Sequence, residues 1–271
     1  MTTQSKRREQ GIDLLRTLGG GAYDPGRAAQ AMVDRHGALG SFAIDHVLGT
    51  LWSRPQLSRR DRSLIVVTFL ATLGAVDEFL THVQGALNHG VTRDEIEEIV
   101  NQVAGYAGFP LAMQAARLVD QVWIRLDNVE RLPAKKGAQA KDDDVRRGLA
   151  TQVMSTLFAG RTSSDPATAR QAIVDALGGV GELAFDFGFG ELWSRDALSR
   201  RDRSMVTVAI LAILARVDEL AVHVPGALNH GCSREEVEEI MVQLTVYGGF
   251  PRAVEGMRAT RAAFAKIDER S

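Results

Sequence analysis

Residues 52–63 read WSRPQLSRRDRS, and 141 residues later, at 193–204, the chain reads WSRDALSRRDRS, identical at ten of twelve positions. HVQGALNHG at 82–90 returns as HVPGALNHG at 223–231, identical at eight of nine and at the same spacing. Tyr106 and Tyr247, the Gly-Phe-Pro at Gly108 and Gly249, and the Asp-Pro pairs at Asp24 and Asp165 keep that spacing too. An offset held over such a span restricts the chain to one unit folded twice, without insertions in its core. The stretch LPAKKGAQAKDDDVRR, 132–147, has a Pro, a Gly, like-charge clusters and no apolar period, as a linker has. The expected units are therefore 1–131 and 148–271, joined by 132–147.

Within each unit the periodicity is helical. Ser58 stands before an almost continuous apolar run from Leu64, with Asp61 three residues on, which is an N-cap arrangement. A run apolar on all sides needs cover on all sides. Val76–His89 reads as the next helix, closed by Gly90. Thr92 with Glu95, and Ser233 with Glu236, form capping boxes for the helix after that. Gly-Phe-Pro then breaks the chain before a last helix at Leu111–Asp127, and Pro225 is expected to kink its helix just after His223. No segment alternates as a strand does. Each unit is expected to be an all-α bundle of about six helices.

Composition narrows the function. With a net charge of −2, no basic field argues for nucleic acid or an anionic membrane. The one cysteine, Cys232, excludes an internal disulfide and a Cys-x-x-Cys redox pair. The start lacks the apolar core of a signal peptide, and the longest apolar runs fall short of a membrane span. A cytoplasmic protein with a small-molecule partner is the expectation.

The repeated histidines carry the chemistry. Glu78 precedes His82 by four residues on one helix side, as Glu219 precedes His223. Such a carboxylate can accept the Nδ1–H, fix the tautomer and favour the protonated ring, leaving Nε2 as a general acid or base. The same spacing also suits a boundary ion pair of a few tenths of a kcal/mol. His89 and His230 stand at helix C-termini, where partial positive charge complements the dipole. A metal would draw on Glu78, His82 and His89, but no Cys or further carboxylate cluster completes a shell, so none is expected. The arginines of SRRDRS oppose the dipole of the helix they open. An anion site, a subunit contact and a solvated ion-paired face all fit them. Trp52 and Trp193 read first as core anchors, and with Tyr106 and Tyr247 they also offer an aromatic wall to a substrate.

The ordered set LWSRP-x-LSRRDRS, an apolar helix, DE-[FL]-x-x-H-x-x-GALN-x-G, [TS]-R-x-E-[IV]-E-E-I and Y-x-GFP, met twice, resembles the carboxymuconolactone decarboxylase family within the alkylhydroperoxidase D-like fold. The resemblance covers about 85 residues of each half. It implies two tandem helical bundles of that fold and ring assemblies. For a covalent pseudo-dimer that means a homo-oligomer, a trimer of pseudo-dimers. The peroxidase branch carries a Cys-x-x-Cys seven and four residues before the histidine. Here those positions are Ala75 and Glu78, then Arg216 and Glu219, and the branch's relay glutamate is replaced at Ser63 and Ser204. Thiol peroxidase chemistry is not expected.

The decarboxylase branch fits better. It implies a cofactor-free carboxy-lyase acting on an unsaturated lactone in aromatic-compound breakdown. His82 and His223 are then the acid/bases, Glu78 and Glu219 their orienting carboxylates, and Arg54, Arg195 and Arg216 the clamps for a substrate carboxylate. The halves depart from the pattern at different places: the first has Ala75 where the second has Arg216, and the second has Asp196 where the first has Pro55. One degenerate half, or mixed sites built across both, are the arrangements open. An oxygenase or cyclase on an aromatic or polyketide-like substrate, and a non-catalytic helical assembly, are the alternatives.

Overall fold

The computed structural model describes residues 3–269, and among these there is no strand. The first half runs α1 (Gln4–Leu18), α2 (Pro25–His36), α3 (Ala38–Phe42), a π-helical segment at Ala43–Leu51, α4 (Arg59–Leu73), α5 (Val76–Asn88), α6 (Arg93–Tyr106) and α7 (Phe109–Asp127). The second repeats the order: α8 (Asp143–Leu157), α9 (Pro166–Leu177), α10 (Gly179–Leu183), a π-helical segment at Ala184–Leu192, α11 (Arg200–Ile213), α12 (Val217–Asn229), α13 (Arg234–Tyr247) and α14 (Phe250–Asp268). Among the described residues each half thus has seven α-helices and a π segment where about six helices were expected.

The local signals act as the residue types dictate. Ser58 and Ser199 accept from the backbone N–H of Asp61 and Asp202, and both capping boxes form in full. Helix α7 starts at Phe109, two residues before the expected start, because a proline in the first turn has no N–H to lose there. Pro225 lies inside α12 without ending it. Helix α8 begins at Asp143, within the expected linker, and its first-turn acids suit a helix N-terminus.

Upstream of Asp24 the repeat changes register. The loop between α8 and α9 is two residues longer than that between α1 and α2. Thr17 and Leu18 therefore do in the first half what Thr156 and Leu157 do in the second, an offset of 139.

Helices α4 and α11 lie against each other at the centre. Every residue from Asp61 to Thr72 and from Asp202 to Ile213 is buried, and one apolar core takes residues from both halves. Full burial of side chains such as Ile65, Phe69, Val208 and Ile210 contributes about 1.5–3 kcal/mol each. The cover that these apolar runs require comes from helices of both halves of the same chain. It gives no ground for further subunits.

The arginines of SRRDRS form the polar seam of this contact. Arg62 and Arg203 are fully buried. Arg62 donates to Glu239 (2.8 Å), Gln243 (2.7 Å) and the Arg54 carbonyl, and Arg203 donates to Glu98 (2.9 Å), Gln102 (3.0 Å) and the Arg195 carbonyl. Arg60 reaches Asp202 at 2.8 Å and also Glu95, while Arg201 reaches Asp61 at 3.1 Å and Glu236 at 2.5 Å. Each contact has its counterpart with the halves exchanged, as a two-fold interface requires.

Candidate functional site

The π segments deliver the tryptophans. The Trp52 N–H bonds the Val47 carbonyl five residues back, as that of Trp193 bonds Gly188. This wider turn is common at functional sites. The first segment is held tightly to α1. Asp45 pairs with Arg8, and a Cβ at Gly49 would come within 2.0 Å of the Arg7 carbonyl oxygen. Only a glycine permits that approach.

Trp52 is 3% exposed and its indole N–H donates to Tyr247 Oη of the other half at 3.1 Å. The His82 ring stacks on Trp52 with centroids 6.1 Å apart and meets the Tyr247 ring edge-on at 5.8 Å. In the second half Trp193 donates to Tyr106 Oη at 2.8 Å, His223 stacks on Trp193 at 6.1 Å, and it meets Tyr106 edge-on at 5.4 Å. Two Trp–His–Tyr trios result, each with its tyrosine supplied by the opposite half.

Burial sets the protonation states. Desolvation, with the neighbouring His89 adding to it, lowers His82 to about 4, and desolvation with His230 does the same to His223. Both rings are neutral at pH 7. Burial pushes the Tyr106 and Tyr247 phenols well above their ordinary value, so both remain protonated.

His89 and His230 are neutral as well, each lowered to about 4 by burial and then by Arg59 or Arg200. Thr17 Oγ1 donates to the Leu14 carbonyl, so at 2.9 Å it accepts from His89 Nε2; Nδ1 then accepts from Ser63 Oγ at 2.8 Å. Thr156, His230 and Ser204 repeat the chain of bonds. These histidines do cap α5 and α12, but as uncharged bridges between helices, not as cations on a dipole.

Other expected site residues lie elsewhere. Glu78 and Glu219 are exposed, and among the described residues neither bonds the imidazole four residues on. His223 Nδ1 is buried without a partner. The carboxylates therefore neither fix the tautomer nor favour the charged ring. The triplet Glu78, His82 and His89 is dispersed: one is exposed, one lies on Trp52, and one has both nitrogens bonded to hydroxyls. Arg54 makes a two-pronged pair with Glu239 (2.7 and 2.8 Å), and Arg195 pairs with Glu98 (2.7 Å). Both thus serve the seam before any substrate. Arg216 is exposed at the start of α12, and no contact joins it to Trp193, His223 or Tyr106. Burial pushes the Cys232 thiol up to about 12, far from a reactive thiolate.

Trp52 and Arg54 line a cleft of about 930 Å³ between the end of the π segment and α1. Lys6, Arg8, Arg16 and Arg59 add positive charge to its walls, against Glu9 and Asp13. The α1 residues of this cleft escaped the sequence reading. The only signal for them is the mixture of charges in SKRREQ, which an ordinary solvated helix also shows.

A duplicated all-helical chain with this pair of sites falls within the carboxymuconolactone decarboxylase family. The family model matches residues 39–121 and 179–262, the spans that hold both trios, and the chain belongs to that family. It is similar to the 4-carboxymuconolactone decarboxylase of Acinetobacter baylyi, with 32% identity over 118 residues, 44% of this chain and 87% of that protein. It is also similar to the nitrosuccinic acid decarboxylase npaB of Metarhizium robertsii, 32% identical over 80 residues, 30% of this chain and 56% of that one. No helix among the described residues is long and apolar enough to cross a membrane.

Proposed function

We propose that the chain is a carboxy-lyase acting on a small cyclic unsaturated acid of the 4-carboxymuconolactone kind. The observation that carries this is the Trp–His–Tyr trio, built twice, in a chain similar to two proteins named as decarboxylases. In the cleft against Trp52, Lys6 is the cation that suits a substrate carboxylate, since the guanidinium groups are already paired: Arg8 with Asp45, Arg54 with Glu239, and Arg16 and Arg59 with Asp13.

In the reaction the bond to the carboxylate carbon breaks, carbon dioxide leaves, and the electron pair passes into the conjugated lactone as a dienolate. One proton added to carbon then completes it. Tyr247 supplies a neutral O–H donor for the developing oxyanion, since the Trp52 N–H bonded to its oxygen leaves the phenol proton for that purpose, whereas the Tyr106 phenol is also bonded to Thr207. His82 or His223 delivers the proton. The histidine starts neutral, and a bound carboxylate beside the ring favours the imidazolium, so the substrate's charge offsets the desolvation that keeps the free enzyme uncharged. The test is loss of ultraviolet absorbance from 4-carboxymuconolactone with equimolar release of carbon dioxide. Failure on this and on related unsaturated cyclic acids overturns the reading and leaves the helical assembly as the function.

Assembly beyond one chain is part of the proposal. Apolar side chains are exposed at equivalent places in both halves: Leu39 and Val180, Phe42 and Leu183, Phe109 and Phe250. Such repeated patches fit self-association. Light scattering at micromolar concentration is expected to give a mass several times that of the chain; a monomer overturns it.

A further inference from the structure

The two halves diverge beside α12. In the first half Tyr23 donates to the Leu15 carbonyl at 3.2 Å, Leu80 packs on the core, and Val122 is buried in it. The positions matching Leu80 and Val122 in the second half hold Ala221 and Ala263, each smaller, and the longer loop there carries no tyrosine. There a cleft of about 720 Å³ opens between the long α8–α9 loop, α12 and α14. Met154, Phe158, Ile173, Val222 and Leu228 give it apolar walls, and Pro225 stands where the first half has Gln84.

Its charged groups are few and of one sign among the described residues. Arg161 and Lys266 line it, and no acidic residue does. Arg161 spends its Nε on the Phe158 carbonyl at 3.0 Å, which leaves both terminal nitrogens. Thr162 Oγ1 is buried without a hydrogen-bond partner. A buried hydroxyl lacking a partner is destabilising, and a ligand's acceptor would offset that cost. The nearby acids, Asp218 and Glu255, line an adjoining cleft reached across Ala221 and Ala263. An anionic end is therefore directed to the Arg161–Thr162 loop. Ala221, Val222, Pro225, Leu228 and Asn229 share one face of α12, and His223 falls on the opposite face.

We propose that this cleft, separate from the aromatic trios, binds a small amphipathic monoanion: an apolar body over Ala221 and Ala263, and a carboxylate held by Arg161 and Thr162. An apolar cleft with a few convergent polar groups is the usual form of a small-molecule site.

The test uses the full chain, 8-anilinonaphthalene-1-sulfonate as fluorescent probe, and decanoate and decan-1-ol as competitors. Saturable probe binding is expected, with decanoate displacing it at concentrations at least ten-fold lower than decan-1-ol. The double variant Ala221→Leu/Ala263→Leu would overfill the site, so Ala221→Leu/Ala263→Val is used, which restores the first half's own residues. It is expected to lose at least ten-fold in affinity for probe and decanoate while keeping wild-type circular dichroism and melting temperature. Arg161→Gln/Thr162→Val is expected to erase the preference for decanoate over decan-1-ol. Absence of saturable binding, unchanged binding in the refilled variant, or equal displacement by acid and alcohol in the wild type each overturns the proposal. Should the refilled variant fail to fold, the comparison of acid with alcohol in Arg161→Gln/Thr162→Val decides alone.

Discussion

Turnover is expected to vanish when His82 and His223 are both replaced by Gln, with the fold left nearly intact. Gln keeps much of the volume and a hydrogen-bonding group, so packing should lose about 1 kcal/mol or less per site. Loss of the proton donor should cost on the order of a hundredfold or more in rate. Because His82 stacks on Trp52 and His223 on Trp193, each single variant should remove only the turnover of its own trio. Acid stability gives a second readout. His82, His89, His223 and His230 sit near 4 in the folded chain, below their ordinary 6.5. The unfolded chain thus takes up protons first on acidification, and stability present above about pH 6.5 is lost as pH falls toward 4. Removing two of the four groups should make that loss shallower, measured as the urea midpoint at pH 7 and pH 5. Full activity in the double variant, or an unchanged acid slope, would show that the imidazoles are not the buried neutral bases described here.

The largest effect on stability is expected at the seam. Glu239 is 2% exposed at its side chain and is the carboxylate for both Arg54 and the fully buried Arg62. Glu239→Ala leaves Arg62 charged, buried and bonded only to Gln243 and a carbonyl, in a site where desolvation already lowers its pKa. Breaking a buried pair from one side typically costs about 3–5 kcal/mol. Glu98→Ala should do the same to Arg203. Urea unfolding is the measurement, and a cost below about 1 kcal/mol for both would mean that the seam is wet in solution. Replacing Arg62 and Glu239 together with apolar residues of similar volume should recover much of the loss, since well-packed side chains can substitute for such a pair.

Much of this architecture was legible in the chain because duplication prints every constraint twice. Caps at Ser58, Thr92 and Ser233, and the apolar runs from Leu64 and Met205, are local signals that tertiary structure left standing. The π turns were not legible, since AIDHVLGTL carries no residue that selects a five-residue over a four-residue bond; packing against α1 does. His82 and His223 were visible as repeated histidines, but the environment was misread: a carboxylate at helical spacing is a partner only if both side chains turn the same way, and Glu78 stays in solvent. Nor could Arg54 be told from a substrate clamp, because its carboxylate, Glu239, comes from a helix of the opposite half. The 139-residue register of α1 and α8 was hidden by poor sequence similarity ahead of Asp24.

The exchange of Tyr106 and Tyr247 across the halves bears on how such a chain can change over time. A lesion in His82 and another in Tyr247 fall on one trio and leave the other whole, whereas His82 with Tyr106 damages both. Under the proposed function the inheritance of activity follows a crossed map: two defects on opposite halves can spare one trio, and two on the same half can disable both. On that proposal neither repeat can decay as a spare copy, because each carries a tyrosine that its sibling's trio draws upon.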